Sequence, residues 1–357
     1  MSDNFPIDIS LFGGSHAPEI GAVVTGMPAG IKLDYDFIDR CMKRRAPGSS
    51  ELTTSRKEAD VPEFLSGITD GATDGTPLKI VIKNTNVKKS DYSVNFGVAR
   101  PSHADYPAFV KYGKDYDMSG GGIFSARMTA PVVCIGAIAQ TYLKDKGVTV
   151  GGHIASVGDI GDAPFDPVDV SAEQLELLRQ KPFPVIDDAA GEKMKEVILS
   201  ARSLGDSVGG VVECAAVGLP CGTGNPLYNS LESLISYRLF SVPALKGVEF
   251  GAGFSGTRMK GSEFNDSFYY DRNRTVRTRT NNNGGILGGL AVGMPLILRA
   301  AFKPTPSIAL KQNTVDFINK TNCTIVVHGR HDPCVVTRAV PCVEANVAIA
   351  LMQALAY

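Results

Sequence analysis

Several short stretches of the sequence set histidine, arginine, hydroxyl and carboxylate side chains among glycines, where backbone amides and charged groups could reach one ligand together. In residues 12–16, Ser15 and His16 follow two glycines near a predicted strand end. An imidazole, with an ordinary pKa of about 6.5, can act as acid or base near neutrality. A turn carrying an incidental histidine is the plain alternative. Residues 100–105 hold Arg100, a rigidifying proline, His103 and Asp105. The guanidinium can grip phosphate or carboxylate through two bonds, and the carboxylate can fix the imidazole tautomer; a solvated loop reads the same way. Gly120, Gly121 and Gly122 run into Ser125, Ala126 and Arg127 at the start of a predicted helix, whose free amides could cradle an anion. Residues 329–333 again group arginine, histidine and aspartate, as Arg330, His331 and Asp332. Residues 281–289 and 303–307 offer amides and hydroxyls for phosphate or ring carbonyls. His153, inside a strand-like run, reads as structural.

Composition narrows the classes. The chain has 357 residues, 36 Lys plus Arg against 37 Asp plus Glu, and a formal net charge of -1, which excludes a polybasic nucleic-acid coat. With 43% hydrophobic and 20% charged residues it can bury a substantial core. Seven cysteines without a C-x-x-C pair resemble neither a disulfide framework nor a zinc site, and no metal-binding motif is present. The first residues lack a secretory pattern, and no apolar run reaches the roughly 18 residues of a membrane span. A cytoplasmic protein that binds neither nucleic acid nor membrane is therefore expected. Residues 251–256 satisfy G-x-G-x-x-G, the one feature favouring a nicotinamide-dependent oxidoreductase. No apolar helix follows them as a dinucleotide fold requires, so that reading is rejected.

The elements that must carry these segments are read from periodicity. Helices are predicted over 35–45, 127–146, 191–204, 229–240 and 341–356, and strands over 77–82, 148–157, 210–217, 246–250 and 323–328. Strands and helices do not alternate regularly, which favours α+β with antiparallel sheets over a doubly wound fold. With no linker or repeat, residues 1–357 are expected to form a single domain.

Nine motifs in order give the chain its resemblance to the chorismate synthase family, from Phe12 to about Leu355. The family's F-G-E-S-H-G stands here as Phe12-Gly13-Gly14-Ser15-His16-Ala17, R-R-x-P-G as residues 44–48, and T-T-x-R-K-E as residues 53–58. R-P-G-H-A-D-Y is matched by residues 100–106, G-G-G-x-x-S-x-R by 120–127 and G-D-S-x-G-G by 205–210. N-x-G-G-I-L-G-G ends at Gly289, K-P-T-x-S-I starts at Lys303, and G-R-H-D-P-C-V-V starts at Gly329.

The resemblance implies a β-α-β sandwich with helices between antiparallel sheets, and a lyase of the shikimate pathway of aromatic amino acid biosynthesis. The reaction implied is 1,4-anti-elimination of phosphate from 5-enolpyruvylshikimate 3-phosphate, giving chorismate, with reduced FMN and no net redox change. Carried over by motif, His16, His103 and Asp332 would be catalytic. Ser15, Arg45, Arg56, Arg100, Ser125, Ala126, Arg127 and Arg330 would bind substrate. The flavin would be held by His103, Ile123, Phe124, Ser125, Pro243, Ala244, Gly288, Lys303, Pro304, Thr305, Pro306, Ser307 and Arg330. A homotetramer is implied, and the flavin could be reduced by the protein itself with NADPH or by a separate flavin reductase. The sequence departs from the family pattern at Gly14, Ala17, Ser102, Ile123, Phe124 and Pro243, and Glu51 stands where a substrate-binding arginine is usual. These departures support an alternative, a diverged paralogue that binds flavin or a phosphorylated acid without the full elimination.

Overall fold

The computed structural model of the protein describes residues 7–48, 50–54, 56, 58–85, 97–113, 120–327, 329 and 331–356. Its helices are α1 (Tyr35–Arg45), α2 (Asp105–Tyr112), α3 (Thr129–Asp145), α4 (Ala172–Gln180), α5 (Asp188–Ser203), α6 (Leu231–Leu239), α7 (Gly261–Phe264) and α8 (Val336–Ala356). Helix α1 follows its local code. The Asp34 side chain accepts from the Phe37 amide at 2.8 Å, and Lys43, Arg44 and Arg45 occupy the negative last turn. Ile38, Cys41 and Met42 make its buried face. The chain turns extended at Ala46, ahead of Pro47, and so leaves Arg45 at the last helical position.

Two antiparallel sheets flank the central helices. The first runs Asp8–Gly13, Glu19–Thr25, Leu78–Lys83, Pro62–Ser66; the second runs Leu245–Phe250, Leu296–Phe302, Gly210–Val217, Thr149–Val157, Ile160–Gly161. Helix α3, buried nearly all round, touches both sheets, and α8 lies along α3 against the second sheet. This is the α+β sandwich with antiparallel sheets that the sequence predicts. Arg44 ties the layers, donating two bonds to Glu344 of α8 at 2.6 and 3.0 Å while Glu344 accepts from the Gly152 amide at 3.0 Å.

Most predicted elements fall within a few residues of those observed, but α8 begins at Val336, five residues before the predicted start. Proline favours a helix's first turn, which set that start at Pro341. Buried Val336, Ala339 and Val340 carry the helix further back, with Pro341 inside it. Helix α8 is long and apolar enough to cross a membrane, yet 78% of its most apolar stretch is buried in this core. The strand over 323–328 is observed as Thr321–Ile325, and His328 lies outside the described residues. The hairpin Asp8–Gly13/Glu19–Thr25 and helices α2 and α4 were not legible as periodic patterns.

Helices α3 and α8 approach most closely at Gly136, where an added Cβ would fall 2.2 Å from Ala345 Cβ and 2.4 Å from its Cα. Gly136→Ala should gain about 1 kcal/mol of helix propensity and lose about 1–3 kcal/mol to overpacking. A lowered denaturant midpoint at unchanged slope is the expected result.

His153 is fully buried on Thr149–Val157, its Nδ1 2.9 Å from Asp162 and its Nε2 2.9 Å from Glu213. Both neighbours can only accept when ionised, so both ring nitrogens carry protons. Burial opposes this charge, but the bonds to Asp162 and Glu213 outweigh it and raise the pKa above the usual value of about 6.5. The stabilisation from His153 is therefore full below about pH 6.5 and is lost as pH rises through the elevated folded value. The stability gap between wild type and His153→Gln, measured by urea unfolding, should shrink from pH 6 toward alkaline pH; a gap independent of pH would contradict the assignment.

Candidate active site

The loops at one end of the sandwich enclose a cavity of about 620 Å³. The loop between the first two strands brings Ser15 and His16, the end of α1 brings Arg45, and Thr54 and Arg56 come from the segment after it. Arg100 and His103 precede α2, and Ile123, Phe124, Ser125, Ala126 and Arg127 precede α3. Leu245 and Phe302 pair across the second sheet, so the loops beside them meet at the opposite wall, supplying Pro243, Ala244, Lys303, Thr305, Pro306 and Ser307. Asp332 closes the ring ahead of α8. Arg330 lies outside the described residues. Gly288 and Pro304 are outside the lining. Gly288 and Gly289, at φ +61° and +91°, form the two-residue turn between Ile286–Leu287 and Leu290–Ala291.

His16 packs directly on the Gly120 backbone, where a Cβ would sit 2.0 Å from its Cε1, and Ser15 Oγ lies 2.9 Å from its Nδ1. Asn84 pins this loop by donating to Gly14 O at 3.1 Å and Ala17 O at 2.7 Å, while accepting from Arg127 Nε at 2.6 Å.

His103 is held differently. Its Nδ1 is 2.8 Å from Asp105 Oδ1, and that carboxylate also takes two bonds from the Arg100 guanidinium, at 2.6 and 2.7 Å. Burial opposes the Asp105 charge, but the bonds from Arg100 and His103 prevail and hold its pKa far below the usual carboxylate range. Because an ionised carboxylate only accepts, Nδ1 carries the proton and Nε2 is the ring atom left for a ligand. The turn before His103 places Ser102 at φ +58°, a left-handed conformation that suits the glycine seen there in the family pattern.

Asp332 uses both oxygens: Oδ1 accepts from the Thr54 amide at 2.9 Å and Oδ2 from Arg338 Nη1 at 2.6 Å. Arg338 also donates from Nε to Arg45 O at 2.9 Å. Arg338, Lys246 and Thr54 line the cavity and were missed in the sequence, while His331, noted there beside Asp332 without a role, lines it too. Arg338 was hidden by starting α8 at Pro341. Lys246 stands two residues after Ala244, whose φ of +71° is strained for alanine, and burial followed by repulsion from Lys246 lowers the Lys303 pKa.

The cationic wall is backed by carboxylates. Arg56 donates to Glu58 at 2.6 and 3.0 Å, and Arg127 and Arg45 both face Asp60, Arg45 at 3.2 Å. Burial opposes the Glu58 charge, yet bonds from Thr85 and Arg56 hold its pKa below the usual value. Burial brings Arg45 down to about 10, still a cation at neutrality. Arg45 Nη2 faces Asp60 Oδ2, whereas its Nε is buried and makes no hydrogen bond among the described residues. Such a donor, inside a ring of arginines and lysines, is what an anionic ligand would satisfy. Glu51 is exposed and does not line the cavity; Arg202 Nη1 donates to its carbonyl at 2.5 Å.

Fold and cavity together define an enzyme of α+β sandwich architecture with histidines set in an arginine-rich pocket. The family model described as chorismate synthase matches residues 7–356. A chorismate synthase of Methanothermobacter thermautotrophicus is 44% identical over 345 residues, covering 96% of this chain and 90% of that protein. One from Lancefieldella parvula is 42% identical over 360 residues, covering 98% and 94%. A solved structure described as the crystal structure of chorismate synthase superposes with a TM-score of 0.75 at 25% identity, covering 99% of this chain and 92% of that one. The chain belongs to the chorismate synthase family.

Proposed function

We propose that this chain is a carbon–oxygen lyase that eliminates phosphate from 5-enolpyruvylshikimate 3-phosphate to give chorismate, with reduced FMN as cofactor. The observation that carries the reading is the cavity itself, where Arg45, whose buried Nε makes no hydrogen bond among the described residues, stands beside Arg56, Arg100, Arg127 and Arg338, with His16 and His103 also in the lining. A substrate with one phosphate and two carboxylates matches that charge. Its volume of about 620 Å³ lies in the usual range for ligand pockets, roughly 300–1,000 Å³. Ile123, Phe124, Val242, Pro243 and Leu245 add an apolar wall for a flavin ring, and Lys246, Lys303, Thr305 and Ser307 add cations and hydroxyls for its phosphate.

In this reading His16 donates a proton to, or hydrogen-bonds, the phosphate leaving C3. His103 offers Nε2 beside the flavin, with its tautomer set by Asp105. Asp332, fixed between the Thr54 amide and Arg338, helps carry away the C6 proton. Reduced FMN, when bound, would lend electron density as the C–O bond breaks and recover it as the proton leaves. The chain would act as a homotetramer in the cytoplasm.

An anaerobic assay with dithionite-reduced FMN should yield chorismate and phosphate in equal amounts. Absence of both at saturating substrate would sink the proposal, and tight FMN binding without turnover would favour the diverged paralogue. Replacing dithionite by NADPH separates an enzyme that reduces its own flavin from one that needs a reductase.

A further inference from the structure

We propose that Asp60 is a positioning residue and internal counter-ion for the arginines of the cavity. Asp60 does not line the cavity but stands behind it, 2% exposed, with Arg127 Nη1 on Oδ1 and Arg45 Nη2 3.2 Å from Oδ2. One carboxylate thus sets two guanidiniums that come from different helices' ends. Its backbone is in the left-handed region, at φ +52°, where a residue other than glycine persists only if its surroundings hold it. Glu58, two residues earlier, treats Arg56 in the same way and stands 3.9 Å from Arg127. The two carboxylates fix the geometry of the cationic wall and cancel part of its charge. They let a specific trianion bind in register without making the cavity a strong trap for free phosphate, the product.

Asp60→Asn keeps the shape and a backbone that asparagine tolerates, and removes only the charge. The inference rests on the proposed elimination. For the folded variant, kcat should fall by about 10²-fold as the guanidiniums lose their shared anchor, while KM does not rise. Inhibition by inorganic phosphate should strengthen by about tenfold as the wall gains net positive charge. A folded variant with unchanged kcat, or with phosphate inhibition no stronger than wild type, overturns the inference. If the variant is unfolded, excess inorganic phosphate should restore its circular dichroism by replacing the missing counter-ion, and failure to do so also overturns it. Should wild type make no chorismate, the functional reading fails by itself, and phosphate titration by calorimetry on wild type and variant still tests Asp60.

Discussion

His16→Ala should lower turnover by about 10²–10⁴-fold, the range for a lost acid or base, with little change in stability. The side chain is half-buried at the cavity wall and carries no large share of the core. Gly120→Ala should reproduce most of that loss without touching a reactive group. Its Cβ would fall 2.0 Å from His16 Cε1 and 2.3 Å from Nδ1, and the local φ of +61° already disfavours alanine. The ring must rotate or the loop must shift, and either moves the imidazole from its place in the cavity wall. Combining the two changes should therefore cost no more than His16→Ala alone, because residues that act through one group are not additive. A double variant much worse than His16→Ala would show that Gly120 serves the site by another route, and unchanged turnover in His16→Ala would remove this histidine from the chemistry.

His103→Ala should be of similar size, about 10²–10⁴-fold, but the supporting network makes a sharper test. Asp105 holds both Arg100 and the His103 Nδ1 proton, so Asp105→Asn should disturb a cavity-lining cation and an imidazole together. About 10²-fold in turnover is the expected loss. Since the bonds from Arg100 and His103 depress the Asp105 pKa despite burial, its stabilising contribution is complete above the unfolded value of about 3.9 and is lost only as pH falls through the lower folded value. The pH–rate profile from pH 5 to 9 should then carry no titration of Asp105, and an acidic limb in that range absent from Asp105→Asn would contradict the network.

The segments that line the cavity were legible because their residue types are costly in a packed core. Runs such as Gly120 to Gly122 lose much backbone entropy, and His16, His103 and Asp332 stand in non-periodic stretches that a core would not use. The helix over 35–45 was legible because its cap, the charge at its ends and its apolar spacing agree, and that over 127–146 because a long apolar run is closed by Gly147. The hairpin that carries His16 was not, because its first strand is a largely exposed edge of the first sheet and its second, buried at Ile20, Gly21, Ala22 and Val24, lacks strict alternation.

Local chemistry in the sequence determined the motif set, the family resemblance, the antiparallel α+β class and the surplus of arginine in the segments that line the cavity. Tertiary structure alone decided which arginine does what. Arg44 and Arg45 are neighbours in one motif, yet the turn of a helix sends Arg44 to Glu344 in the core and Arg45 to the cavity. Arg338 joins the cavity because α8 starts five residues early, while Glu51, which the motif comparison puts in a binding position, stays outside it. Asp60 carries no signal in sequence, since its partners are 15 and 67 residues away and are brought to it only by packing α1 and α3 between the sheets. Electrostatic partners are set by distance in space, and a local pattern of residue types does not contain that distance.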